Sequence, residues 1–193
     1  MATKPKLGQP RTPDEPQAHD LFETPNYAVD LLVPFIPKQI KKIWECAVGE
    51  GRLARRLQHH GYVLLGSDVR DCGGAYYNFI TGDGADISWT ENYAIVTNPP
   101  FSLKRLFFLR CLELSVPFAL LMPADYSLWM IDAIRDYKCE KIIPSRRIDY
   151  ITPNGKSGKG SAAQFHSLWL TQGFNIGKSE TFVELSLKDK ENI

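Results

Sequence analysis

An apolar run from Lys42 to Ala47 breaks at Gly49-Glu50-Gly51, after which Leu53, Ala54 and Leu57 recur at helical spacing up to His60-Gly61. A second apolar run, Tyr62 to Ser67, follows at once and ends on Asp68. Strand, glycine turn, helix and strand leave little freedom. A helix between two consecutive strands crosses over a sheet, and the strands it joins run parallel. A chain that carries this unit is committed to an α/β domain.

The remaining segments extend the same pattern. Pro25 opens a helix with Thr24 as its cap, and Tyr27, Ala28, Leu31, Leu32 and Phe35 keep helical spacing until Pro37. Ala94 to Thr97 reads as a third strand, halted by Asn98-Pro99-Pro100. Leu103 to Leu114 is helical, and Pro117 to Met122 is a strand closed by Pro123. Lys141 to Ile143 and Ser167 to Thr171 are expected to pair as an antiparallel hairpin across a loop, Asn154 to Ala163, rich in Gly, Ser and Lys. The expectation is a mostly parallel sheet with a C-terminal antiparallel hairpin in one domain, residues 21–175. A flexible arm, residues 1–20 with Pro5, Pro10, Pro13 and Pro16, precedes it, and a tail, residues 176–193, follows.

Composition narrows the class. The 193 residues suit one domain, and 44% hydrophobic with 23% charged residues excludes a disordered chain, a collagen-like repeat and a coiled coil. Lys and Arg number 23 against 22 Asp and Glu, a balance that argues neither for nor against nucleic acid. The longest apolar runs, near Phe118 to Pro123 and Leu31 to Ile36, fall far short of the roughly 20 residues a bilayer span needs. The N-terminus lacks the apolar stretch of a secretory signal, so a cytoplasmic protein without a membrane span is expected. Cys46, Cys72, Cys111 and Cys139 are scattered without CxxC or Cys/His pairing, so neither a zinc site nor a disulfide framework is expected, and no other metal.

Two constellations carry chemistry. At Gly49-x-Gly51 the backbone can approach a ligand, and the following helix N-terminus offers free amides to a carboxylate or phosphate. Taken alone, the turn also fits tight packing with no ligand. Gly49-x-Gly51-x-x-Ala54 with Asp68 further satisfies a dinucleotide pattern. Glu45, four residues before Gly49, separates the two ligand readings, because a carboxylate there repels a pyrophosphate and suits the ammonium of a methionine moiety. The second constellation is Ala94 to Phe101, a buried strand ending in Asn98-Pro99-Pro100-Phe101. Two prolines fix the backbone and remove two donors, which leaves rigid outward carbonyls. The Asn98 oxygen and the Pro99 carbonyl then accept from an exocyclic NH2, and Phe101 stacks on the ring that bears it.

Other residues are weighed individually. In Ser145 to Gln164, Arg146, Arg147, Lys156 and Lys159 meet only Asp149, with Tyr150 and Phe165 at the edges. That suits phosphate contact and base stacking, against the plainer reading of a solvated hairpin loop. His59 and His60 end a helix before Gly61, where imidazolium suits the dipole, and His166 is expected to pack. Trp44, Trp89, Trp129 and Trp169 read as core or edge aromatics, with Trp129 and Tyr126 as candidates to border a target pocket.

Together these motifs resemble the class I S-adenosylmethionine-dependent amino methyltransferases. They are most similar to the adenine-specific DNA enzymes, and nearest in size to the compact ones of bacteriophages. The resemblance runs from about Phe22 to Leu170 in the gamma-type order: Phe22-Glu23-Thr24-Pro25, Glu45-x-x-x-Gly49-x-Gly51, Asp68, Asp86-Ile87, Asn98-Pro99-Pro100-Phe101. It implies a Rossmann-like class I methyltransferase fold, S-adenosylmethionine as cofactor and DNA, double- or single-stranded, as partner. It implies Phe22, Thr24, Glu45, Ala47, Gly49 and Gly51 around the cofactor, Asp68 on its ribose, and Asp86 with Ile87 on its adenine, a role for which Asp83 competes. Asn98, also beside the cofactor, would act with Pro99, Pro100 and Phe101 on a flipped-out target adenine. The chain departs from many relatives in leaving no room for a separate target-recognition domain. Target choice then falls to Arg146, Arg147, Tyr150, Lys156, Lys159 and Phe165, with short or relaxed specificity. Adenine in RNA remains an alternative, as does protein glutamine, whose methyltransferases usually carry Tyr where this chain has Phe101. An NAD-dependent oxidoreductase, a non-catalytic DNA-binding subunit and a homodimer also stay open.

Overall fold

Ile43 and Trp44 are neighbours in the chain and belong to opposite faces of one sheet, as do Ala94 and Ile95, and Leu168 and Trp169. This period of two decides which side chain meets which layer of helices. The computed structural model describes residues 21–72, 75–84, 92–152 and 165–191. Its strands are β1 (Lys42–Glu45), β2 (Val63–Asp68), β3 (Ala75–Asn78), β4 (Asp83–Gly84), β5 (Tyr93–Thr97), β6 (Phe118–Pro123), β7 (Glu140–Pro144), β8 (Ser167–Gln172) and β9 (Glu180–Val183). They lie in the order β4-β3-β2-β1-β5-β6-β8-β7-β9.

From β3 to β6 every adjacent pair is parallel; β8 runs antiparallel to both β6 and β7, and β9 is parallel to β7. Two helices, α1 (Asn26–Asp30) and α2 (Arg52–His59), cover one face, while α3 (Lys104–Leu114) and α4 (Leu128–Tyr137) cover the other. β6 is buried on both faces, which is why Phe118 to Met122 reads as an unbroken apolar run. Trp169 is fully buried and gives its indole N–H to the Ala28 carbonyl at 2.9 Å, which ties α1 to the sheet. No helix among the described residues is long and apolar enough to cross a membrane, and no group of three or more His, Cys, Asp or Glu there could hold a metal ion.

The expected mostly parallel sheet and the β7–β8 hairpin are both present, and four details differ. The helix expected from Pro25 to Phe35 divides into α1 and a 3-10 turn, Val33–Phe35, because Pro34 supplies no amide hydrogen. Thr24 is not its cap: Pro25 holds that position, and no side chain bonds there. β3 and α4 were not expected. β3 is four residues long and borrows its stability from pairing with β2, a contact no local pattern announces. Of residues 176–193, expected as a tail beyond the domain, the described part, 176–191, instead continues it. Glu180–Val183 extend the sheet beside β7, and Leu185 is fully buried. The expected arm, residues 1–20, and the loop 154–163 lie outside the described residues.

Candidate cofactor and target site

Parallel β1, β2, β3 and β5 bring their carboxyl ends to one edge of the sheet, the edge where α/β proteins bind ligands. A cavity of about 580 Å³ opens there. The glycine turn forms its floor. Gly49 and Gly51 adopt φ of +50° and +76°, left-handed values that a side chain would strain, and Gly51 takes the N-cap position of α2. The turn crosses β2 so closely that a Cβ on Gly66 would come within 2.9 Å of the Val48 side chain. Asp68, at the end of β2, anchors it by accepting the Gly49 amide at 3.0 Å.

Two buried oxygens in the lining, Glu45 Oε2 and Asn98 Oδ1, have no hydrogen-bond partner among the described residues. Burial pushes the Glu45 carboxyl well above the usual carboxylate range. The Ala54 amide eases that shift, Asp68 adds to it, Arg55 opposes it and Glu23 adds again. Asn98 gives its Nδ2 hydrogens to the Phe22 carbonyl at 3.3 Å. The Pro100 carbonyl is taken by the Leu103 amide at 2.8 Å, in the turn that enters α3.

The segment before α1 forms another wall. Glu23 exchanges backbone hydrogen bonds with Ile151 at 2.9 and 3.0 Å and accepts from Arg52 Nε at 2.8 Å. Thr24, buried, lines the cavity beside it. Phe22, Thr24, Glu45, Ala47, Gly49, Gly51, Asp68, Asn98 and Pro100 thus meet around one space, although they come from four separate stretches of chain.

Other expected residues lie elsewhere. Pro99 is buried behind the turn, and Phe101 packs edge-on against Tyr150 at 5.6 Å and Phe165 at 5.2 Å rather than lining the cavity. Tyr150, expected to stack on nucleic-acid bases, is fully buried and donates its hydroxyl to Ser167 Oγ at 2.9 Å, so its ring is closed to solvent. Arg146 and Arg147 are exposed after β7. Asp83 is exposed on β4 and does not line the cavity. Asp86, Ile87, Trp89, Lys156 and Lys159 lie outside the described residues.

Tyr126 does not border the cavity; its exposed ring lies over the Lys141 ammonium at 4.4 Å. Trp129 packs at a tilt on Phe108 in the α3–α4 layer. His60 pairs with Asp30 at 2.7 Å, and His166 meets the Pro144 carbonyl at 2.7 Å.

Sequence reasoning missed the lining contributed by the end of β3, Asn78-Phe79-Ile80, and by Arg70. Asn78 Oδ1 accepts the Ile80 and Thr81 amides at 3.1 and 3.2 Å, an Asx turn that fixes the strand end beside the cavity. The polar-aromatic pair directly after Tyr76-Tyr77 was the available signal.

No protein-family model and no curated protein matches the sequence. Among solved structures, a TehB-like SAM-dependent methyltransferase from Corynebacterium glutamicum superposes over 75% of this chain and 85% of its own, with a TM-score of 0.44 and 14% identity. The 23S rRNA methyltransferase ErmE superposes over 75% of this chain and 66% of its own, with a TM-score of 0.47 and 12% identity. Both likenesses are too distant to bear on substrate or site. The fold stands on its own strand order: a Rossmann-like α/β sheet, parallel through β3-β2-β1-β5-β6, with β8 inserted antiparallel between β6 and β7.

Proposed function

We propose that this protein transfers a methyl group from S-adenosylmethionine to the exocyclic N6 amino group of adenine in DNA, with short or relaxed sequence preference. The observation that carries the reading is the presence of two buried acceptors, Glu45 Oε2 and Asn98 Oδ1, in the lining of one cavity, both unpartnered among the described residues. A buried polar atom left unpaired costs about 1–3 kcal/mol. A ligand with a cationic end, held next to a reacting amine, removes that cost at both atoms. The cavity volume also falls within the range of small-molecule sites, about 300–1,000 Å³.

When bound, S-adenosylmethionine supplies a methyl carbon on a cationic sulfonium: the amine lone pair forms the C–N bond, the C–S pair returns to sulfur, and the amine proton leaves to solvent. The chain's residues divide the remaining tasks. Glu45 holds the ammonium, and Asp68 accepts ribose hydroxyls. Asp86 accepts from the adenine end, and Asn78 and Phe79, which line the cavity, flank it. Asn98 Oδ1 accepts a target N–H and draws the nitrogen toward tetrahedral geometry. No strong base is required, since alignment and polarisation supply most of the rate. Arg146 and Arg147, exposed beyond the end of β7, hold phosphates of a strand from which the adenine is flipped.

Incubation with labelled S-adenosylmethionine and separate pools of DNA, RNA and protein, followed by nucleoside analysis, tests this. The expected product is N6-methyladenine in DNA. Label confined to RNA or protein, or NAD binding without S-adenosylhomocysteine binding, overturns the reading.

A further inference from the structure

We propose that Tyr150 is a positioning residue for this reaction: its ring holds the Phe22 segment so that the Phe22 carbonyl decides which end of the Asn98 amide meets the target amine. The inference rests on the role given to Asn98 above.

The two ends of an asparagine side chain have nearly the same shape, yet one only donates and the other only accepts. A backbone carbonyl accepts. Phe22 O therefore takes the NH2 end of Asn98, at 3.3 Å, and leaves Oδ1 buried, without a partner among the described residues, for an incoming N–H. Turned by half a revolution, the amide would present NH2 to NH2, and the acceptor would be lost.

What fixes the carbonyl is the packing around it. The Phe22 ring lies against the Tyr150 ring at 6.3 Å and 19°. One residue further along each segment, Glu23 and Ile151 exchange their two backbone hydrogen bonds. Tyr150 itself cannot drift: it is fully buried, its hydroxyl is held by Ser167 on β8, and burial keeps the phenol protonated as a donor by raising its pKa far above the ordinary value. Its ring also meets the edge of Phe101. Tyr150 thus grips the chain on both sides of the site, at the segment that receives the Asn98 hydrogens and at the aromatic three residues after Asn98.

Three variants test this. Tyr150→Leu removes the ring, Tyr150→Phe keeps it, and Phe22→Leu removes the facing ring but keeps the carbonyl. With saturating S-adenosylmethionine and DNA, Tyr150→Leu and Phe22→Leu should each lower kcat by on the order of tenfold or more, as small misplacements at a reacting centre do. For Tyr150→Leu, binding stoichiometry for S-adenosylhomocysteine should stay full, with Kd within about threefold of wild type, so the loss falls on kcat. Tyr150→Phe should restore most of the rate. The double variant should be no slower than the slower single one, because the two losses share a cause. Unchanged kcat in the two leucine variants, or additive losses in the double variant, overturns the inference while wild-type methyl transfer still stands. No transfer by the wild type overturns the underlying reading instead. If Tyr150→Leu does not fold, Phe22→Leu compared with wild type and Tyr150→Phe decides the matter.

Discussion

Arg70 lays its guanidinium across both oxygens of Asp68, Nε on Oδ1 at 3.1 Å and Nη2 on Oδ2 at 3.2 Å, while the Arg70 and Gly49 amides bond the same carboxylate at 2.9 and 3.0 Å. A carboxylate has about four acceptor sites, so ribose hydroxyls reach Asp68 only by displacing the guanidinium. Arg70→Ala removes the competitor and should tighten S-adenosylhomocysteine binding on the order of threefold by titration calorimetry. Weaker binding would mean that Arg70 itself holds the ligand.

Asp68→Ala should act in the opposite direction. Two hydroxyls lose a charged acceptor, a loss of about 1.5–3 kcal/mol, and Gly49 loses the anchor of its turn. The same titration reads the effect, and unchanged affinity would remove Asp68 from the site.

Asn98→Ala deletes the acceptor for the target amine and leaves the glycine turn intact. The barrier should rise by about 3 kcal/mol, comparable to losing one oxyanion-hole donor, with little change in cofactor affinity. Single-turnover methylation of an adenine-containing duplex measures it. A variant that keeps more than about a tenth of wild-type turnover contradicts the assignment.

Glu45 makes cofactor affinity depend on pH. Burial raises its carboxyl well above the usual range in the free protein, whereas an ammonium ligand requires the ionised form, so binding releases a proton. Affinity should climb as pH rises toward that raised pKa and level off above it, and Glu45→Gln should flatten the profile. Folding stability has the reverse sign. A carboxyl whose folded pKa exceeds its unfolded one keeps its proton longer in the native state, so this residue's contribution falls as pH rises through the interval between the two. Calorimetry in buffers of different ionisation enthalpy counts the proton; zero release at every pH would refute the coupling.

Arg146 and Arg147 should act on all sequences alike. Neutralising each should weaken DNA binding and flatten the slope of log affinity against log salt by about 0.9 per lost phosphate contact. Mapping of modified adenines on a treated plasmid should find a very short preference or none. Methylation confined to one motif of about four base pairs or more would mean that this loop reads base edges.

The parts of the site legible in the sequence are those encoded in consecutive residues. The strand, Gly49-x-Gly51 turn and α2 follow from glycine conformation and helical period, and the Asn98 turn follows from two prolines that stop β5 wherever they fall. The acid that closes β2 could be read because strand and acid are adjacent. The end of β3 was missed: a strand of four residues exists because β2 pairs with its first half and β4 with its second, so Asn78 acquires its place from pairing and Phe79 from the turn that follows. β9 was likewise missed, since its alternation is weak and β7 supplies the edge it needs. Tyr150 shows the same limit in a side chain. Its aromatic and polar character fits base stacking and core packing equally, and only the meeting of β8, the Phe22 segment and the Asn98 turn puts its hydroxyl on Ser167 and closes its ring to solvent. Local conformational rules thus set the turns and the identity of the acceptors, while burial and partner, which depend on residues as distant in sequence as Phe22 and Asn98, were decided by the packed sheet.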